Sequence, residues 1–586
     1  MEGDQKMRKA KLIVCAVILT MVATTAGAFA CTGVYVGKDA SSDGTTIVAR
    51  SEDQGSGAYN KMFKVQPRVT KAGRYFVDTG EDQNGFKVPL PTTTYKYTYV
   101  PDSSDAGDGM YPASCTNEYG VTVIGTVSTG VKEAYEKADP TVETGTGLRE
   151  AILPGLIACQ ATSAKDGVND LAKLVDEYGS EEWNTLFIAD QKEAWIFEIY
   201  GGHTYCAMLL PADQVSVFGN QIMIGTVDQN DTANYVFSKD LFTTIDKAGA
   251  VKEDGKYNLA KSIDGSRSVY SNMRTWMGHK ILAPSTAGEY VNDNFYPLCY
   301  KPDSKVSVLD VMDIYRNRYE GTPYDMSKPG NEGNRCIGVT RQSDVHIVQI
   351  YSNLPKDTAD LEWLCMGNAE GSVFIPFFSG ITATNKAYHV DGSAYNASSA
   401  YWTFKKNTAL EMTDRAFLEQ GVRDYWKIQE KLQYSQIQSE LAKVQAAYKN
   451  GRTEGRSYVT ALGNKMAAAQ LSNANALYND LFYTFTANLN DRANNLRKTT
   501  FVGNTKMTPA AKLMGYKVSS STKTVDKQKV KTYTLTKGDK KVVFSMGTGV
   551  YSVTEGTAAA VEGTFTNLPY VSGGYVYVPV DFINSL

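Results

Sequence analysis

The segment CTGVYVGKDASSDGTTIVARSED, Cys31 to Asp53, governs how the rest of the chain is read. TGVYVG alternates as a strand does, DASSDG is rich in turn residues, and TTIVAR resumes a second strand, so a hairpin is predicted. A hairpin carries the chain back toward its start. Arg50, and Asp53 three residues on, are therefore expected beside Cys31. A guanidinium in that position would favour a thiolate, and a carboxylate could hold an amine. The plainer alternative is an Arg–Asp pair on the surface beside the hairpin.

What precedes Cys31 gives the hairpin its interest. Lys6, Arg8, Lys9 and Lys11 form a basic start, Leu12 to Ala23 is apolar, and Ala28-Phe29-Ala30 has the small–x–small form of an export-signal cleavage site. Residues 1–30 thus read as a signal peptide, with Met7 as an alternative start. A retained membrane anchor is the competing reading, but the apolar run is short for a spanning helix. Cleavage after Ala30 would make Cys31 the new N-terminus.

Three roles for such a cysteine compete. A lipid-anchored cysteine wants a branched apolar residue three places earlier, and Ala28 with Phe29 fits poorly. An incidental buried cysteine needs no explanation. An N-terminal nucleophile has a chemical logic. A free thiol ionises near pH 8.5 and an α-amine near 8, so one residue would carry both nucleophile and general base. No histidine partner is then needed, in keeping with only four histidines in 586 residues.

The bulk properties bound the function. The length suits two to four domains, and 42% hydrophobic residues can bury a sizeable core. A net charge of −3 without long single-sign runs argues against a nucleic-acid partner. The eight cysteines, Cys15, Cys31, Cys115, Cys159, Cys206, Cys299, Cys336 and Cys365, form neither a C-x-x-C pair nor a disulfide framework. With His203, His279, His346 and His389 equally scattered, a zinc site is not indicated. Nucleotide-binding glycine loops are not indicated either.

The Cys31–Asp53 segment strongly resembles the N-terminal signature of the cysteine dipeptidases typified by dipeptidase A of lactic-acid bacteria. These are N-terminal nucleophile hydrolases, distantly related to penicillin V acylase and bile salt hydrolase. The resemblance continues through TNEYGVTVIGTVST (116–129), FIADQKEAWIFEIYGGHTYCAMLLPADQVSVFGNQ (187–221), YSNMRTWMGHKILAPS (270–285), RCIGVTRQSDVHIVQI (335–350) and LEWLCMGNAEGSVFIPFF (361–378). It implies an α+β, four-layer αββα sandwich over residues 31–405, with two antiparallel sheets face to face and helices outside. It places Cys31 as nucleophile, Arg50 and Asp53 as active-site partners, Asn220 as an oxyanion donor and Arg274 as a second active-site arginine. RTWMGHK departs from the family pattern around that arginine, and the second oxyanion donor is expected near the end of GTVST. The implied reaction is hydrolysis of a dipeptide through a thioester, without metal or organic cofactor. An acylase acting on N-acyl amides or bile-salt-like conjugates is the rival within the superfamily. A non-catalytic adhesion protein is the rival outside it.

The remaining elements take simpler readings. LREAILPGLIACQ and GVNDLAKLVDEYG have helical spacing, Asn117 and Glu118 order a turn, His203 and His346 serve hairpin and strand, and Trp183, Trp195 and Trp363 suit a core. Residues 406–500 read as a helical extension, a long helix from Asp414 to Asn450 closed by Gly451 and a second from about Ser457 to Arg497. Residues 501–586 carry LMGYKV and GGYVYVPVDFI and resemble the small domain named after the N-terminal region of copper amine oxidase, without a histidine cluster for copper. That resemblance implies a surface-associating or stalk module. Together these features predict a secreted or cell-surface protein of a Gram-positive bacterium, and leave a homo-oligomer open.

Overall fold

The computed structural model describes residues 31–54, 59–487, 500–525 and 528–586; the expected signal peptide lies outside them. The strands of the two large sheets are, in chain order, β1 (Thr32–Val36), β2 (Thr46–Asp53), β3 (Lys64–Gln66), β4 (Tyr97–Tyr99), β5 (Ser114–Asn117), β6 (Thr122–Ser128), β7 (Asn184–Ala189), β8 (Ala194–Ile199), β9 (Tyr205–Leu209), β10 (Val215–Phe218), β11 (Tyr235–Phe237), β12 (Gln342–Ile350), β13 (Asp360–Met366) and β14 (Ile375–Phe378). One sheet has the order β10-β1-β2-β12-β13-β14 and the other β11-β9-β8-β7-β6-β5-β4-β3. Every pairing in both is antiparallel.

The predicted hairpin is β1–β2, paired from Thr32↔Ser51 to Val36↔Ile47. Its turn is tied by Asp43, whose Oδ1 accepts from Thr45 Oγ1 at 2.6 Å, and by Gly44 at φ 75°. A left-handed residue suits glycine, which has no Cβ to clash. β1 and β2 lie in the interior of the six-stranded sheet, with β10 on one side and β12 on the other. Strands covered on both faces lose strict alternation, and β2 is buried at every position after Thr46.

Alternation still sorts the side chains. Cys31, Tyr35 and Val48 join Ile124, Phe187 and Ile196 of the other sheet in one apolar cluster, so the two sheets face each other there. Ile47 and Ala49 point the other way, into a cluster with Met273, Trp276 and Met277 of α3 (Val269–Leu282). On the far face of the eight-stranded sheet, α1 (Leu153–Ala158) and α2 (Ala164–Tyr178) pack Leu153, Leu156, Val168 and Leu171 onto Val123, Leu186 and Ile188. α2 starts at Ser163, whose side chain accepts from Asp166 N–H, and stops at Gly179. Trp195 and Trp363 are core residues as expected, whereas Trp183 is only half-buried, because it lies in the loop before β7 rather than in a strand.

Beyond the sheets, α4 (Ala400–Met412), α5 (Arg415–Asn450) and α6 (Arg452–Ala487) pack on β13 and β14. α5 ends at Gly451 as its sequence predicts. α6 begins at Arg452 rather than near Ser457, since Arg452 and Arg456 are drawn onto Glu118 and Asp357 at 2.6–2.8 Å. The C-terminal part holds a five-stranded antiparallel sheet between Lys517 and Thr564. It meets α5 through Phe501 N–H to Phe417 O, 2.9 Å, and Gln429 to Thr505, 3.1 Å.

Candidate active site

Cys31 is the residue immediately before β1, and its sulfur lies between the sheets. The register explains its neighbours. Gly33 faces Arg50 across the hairpin, so Arg50 and Glu52 share the inter-sheet face with Cys31, while Ser51 and Asp53 point to the opposite face. Arg50 Nη2 donates to Cys31 Sγ at 3.2 Å and Nη1 to the Ala113 carbonyl at 3.2 Å. The same guanidinium lies 3.3 Å from Glu52 and 3.9 Å from Glu150. Glu52 also accepts from Lys61, 3.0 Å, and Lys61 pairs in turn with Asp102. Arg50, Asp53 and Cys31 are all fully buried, so the surface ion pair that the sequence left open is not what the fold contains.

Asp53 does not touch the sulfur. Its carboxylate pairs with Arg335, and burial pushes its proton affinity up against the pull of Arg335 and Arg274. It lies on the opposite face of β2 from Sγ. Arg274 acts on the backbone of Cys31. It rises from α3 to donate to the Cys31 carbonyl at 2.5 Å, to Thr32 Oγ1 at 3.0 Å and to Asn220 Oδ1 at 2.8 Å. It is completely buried and faces Cys31 and Asn220 instead of an open pocket, which makes it a positioning residue. Gly219 leaves room for it, since a Cβ there would lie 2.9 Å from the guanidinium. Asn220 follows β10, and its Nδ2 donates to Ser128 O at 2.9 Å, at the end of β6 where the sequence places the second donor. Of the five residues singled out from sequence, Arg50 meets the Cys31 sulfur, Arg274 joins the Cys31 carbonyl to Asn220, and Asp53 acts on Arg274 from the far face of β2.

The electrostatics differ from the sequence expectation in one respect. Arg50 does favour the thiolate, but burial outweighs it and Glu150, Asp53 and Glu52 oppose it, so the thiol is pushed up to about 12. The sulfur therefore rests protonated. No histidine is among the groups acting on it. His346 lies opposite Arg50 in the register, but its ring faces Glu362 at 3.2 Å.

Sequence reasoning missed Glu52, Glu150, Arg335 and Glu198. Glu52 was legible, because strand alternation puts it on the face of Arg50. Glu150 lies in the segment read as helical from Leu148, but the helix begins only at Leu153, so spacing did not place its side chain; Arg335 comes from a loop with no periodic signal. Glu198, on β8, anchors the loop that carries Asn220 by accepting from Met223 N–H at 2.7 Å and from Tyr200 OH at 2.8 Å. Burial pushes its carboxyl from 4.5 up to about 7. A raised carboxyl stabilises the fold fully below its unfolded value and progressively less as pH climbs through its folded value. Stability is thus expected to fall between about pH 4.5 and 7 because of this group. Glu198→Gln is expected to flatten that part of a Tm-against-pH curve, and an unchanged slope would show that Glu198 does not titrate there.

The model of peptidase family C69 matches residues 30–428. A probable dipeptidase B of Streptococcus pyogenes serotype M1 is 33% identical over 402 residues, 66% of this chain and 79% of the relative. Dipeptidase A of Lactobacillus helveticus is 29% identical over 396 residues, 66% of this chain and 82% of the relative. A solved structure of a conjugated bile acid hydrolase mutant from Clostridium perfringens aligns with 59% of this chain and 92% of its own at 10% identity. Its TM-score of 0.26 is too low to support a conclusion about fold. The matched span starts one residue before Cys31 and takes in both large sheets and the first helices beyond them: the chain belongs to peptidase family C69 and is a hydrolase of peptide bonds.

Proposed function

We propose that the chain is an exported dipeptidase of the N-terminal nucleophile type, built as an αββα sandwich, in which Cys31 acts once the leader has been removed. The observation that carries this is the 3.2 Å contact of Arg50 with a buried, protonated Cys31 sulfur that has no histidine base beside it. The α-amine freed on Cys31 supplies the missing base. Asp53, on the opposite face of β2 from the sulfur and with Oδ1 unpaired, is suited to hold it.

The α-amine takes the thiol proton as Sγ attacks the scissile carbonyl. The tetrahedral oxyanion is received by Asn220 Nδ2 and a backbone N–H. The C–N bond breaks as the α-ammonium returns its proton to the leaving amine, and a thioester remains. The amine then deprotonates a water, which attacks the thioester, and the proton returns to the sulfur as the acid leaves. Arg274 fixes Cys31 and Asn220 relative to each other throughout. The C-terminal region is proposed to associate the enzyme with the cell envelope.

N-terminal sequencing of the matured protein, with a dipeptide panel, tests this reading. The expected result is a mature chain beginning at Cys31 that hydrolyses dipeptides. Activity in a chain whose terminus lies elsewhere would overturn it. Asn220→Ala is expected to lower kcat by about 10²–10³ with little change in KM, the usual cost of one oxyanion donor. Unchanged turnover would remove Asn220 from the reaction.

A further inference from the structure

A dipeptidase must recognise the free amino group of its substrate, and three buried carboxylates surround Cys31. Glu52 is committed to Lys61 and Gln54. Asp53 is paired with Arg335 and lies across β2 from the sulfur. Glu150 differs from both. It is 1% exposed, and Ser128 Oγ donates to its Oε2 at 3.0 Å. Its Oε1 is buried without a hydrogen-bond donor. Arg50 Nη1 is ion-paired with this oxygen at 3.9 Å, beyond hydrogen-bond range, and the Tyr111 phenol is a further hydrogen-bond partner of the carboxyl. Gly125 lets the carboxylate lie against β6, since a Cβ there would come within 2.9 Å of Oε1.

One guanidinium joins this oxygen to the nucleophile, with Nη2 on Sγ and Nη1 toward Oε1. Sulfur and carboxylate therefore flank the same guanidinium. In a dipeptide the amino nitrogen and the scissile carbonyl carbon are about 2.5 Å apart, separated by one Cα. A charge-assisted bond of about 2.8 Å at one end and an attack distance of about 3–3.5 Å at the other would let one dipeptide bridge the two groups. A buried carboxylate whose cation stands at 3.9 Å gains from a closer one, which an N-acylated substrate would not supply.

We infer that Glu150 binds the substrate's α-ammonium and restricts the site to peptides with a free N-terminus. The inference rests on the dipeptidase reading above. Its test compares kcat/KM for leucyl-leucine and N-acetyl-leucyl-leucine in the matured wild type, Glu150→Gln and Glu150→Asp. Wild type is expected to favour the free amine at least about 100-fold. Glu150→Gln is expected to cut that ratio at least about 30-fold, while Glu150→Asp keeps most of it. An unchanged ratio in Glu150→Gln, or equal losses on both substrates in both variants, would overturn the assignment. A wild type that cleaves only the acetylated compound would overturn the dipeptidase reading itself, whatever the variants do.

Discussion

Cys31→Ala is expected to lower kcat/KM for a dipeptide by at least about a thousandfold, the scale on which loss of a nucleophile is felt, while Tm stays within a few degrees of wild type. The side chain is small, and its polar partner is Arg50, which retains Glu52 and Ala113. The same loss is expected when the sulfur is intact but the nitrogen is blocked, as in a chain that keeps its leader. With the thiol pushed up to about 12, a neutral amine near 8 does not ionise it at rest, so the proposed scheme requires the proton to move as the carbonyl is attacked. An amide nitrogen cannot accept that proton. Full activity of an uncleaved chain, shown by intact mass and rate on one sample, would defeat the scheme.

Arg50→Met is expected to cost more than activity. The arginine is the cation nearest Cys31 Sγ, and Glu52 and Glu150 both depend on it. Glu52 keeps Lys61, but Glu150 is left with Ser128 and Tyr111 and, among the described residues, with no other ion-pair partner. Breaking a buried ion cluster on one side costs about 3–5 kcal/mol. Without Arg50 the Glu150 carboxyl rises further above its ordinary range, so its contribution is retained at acid pH and lost as pH increases. The Tm deficit relative to wild type should therefore be larger at pH 8 than at pH 5, together with a fall of at least about a hundredfold in kcat. Equal deficits at the two pH values would mean that Arg50 does not support these carboxylates.

Much of this arrangement was legible in the sequence because it is local. The hairpin from Cys31 to Asp53 carries its own turn chemistry, and folding it back brings Arg50 to the sulfur without help from the rest of the chain. Asn220 and Arg274 were reachable only through the family resemblance, because nothing in their own segments shows that α3 crosses the end of β1. Asp53 shows the limit of proximity reasoning. It is near Cys31, as the hairpin requires, yet strand alternation turns it to the other face, toward Arg335. The direction of the thiol's proton affinity could not be read at all. It depends on how deeply the sulfur is buried and on Glu150, which arrives from over a hundred residues away.

The hub formed by Arg50 has a genetic consequence. Cys31, Glu52 and Glu150 all load onto one guanidinium, and Lys61 reaches it through Glu52. Substitutions at these positions will not add independently. Removing Lys61 frees Glu52 to draw Arg50 away from the sulfur, and neutralising Glu52 at the same time removes that pull. Single changes in this layer should therefore be harsher than chosen pairs, so that natural drift here proceeds by compensated doubles, and scans of one position at a time will overstate how intolerant it is.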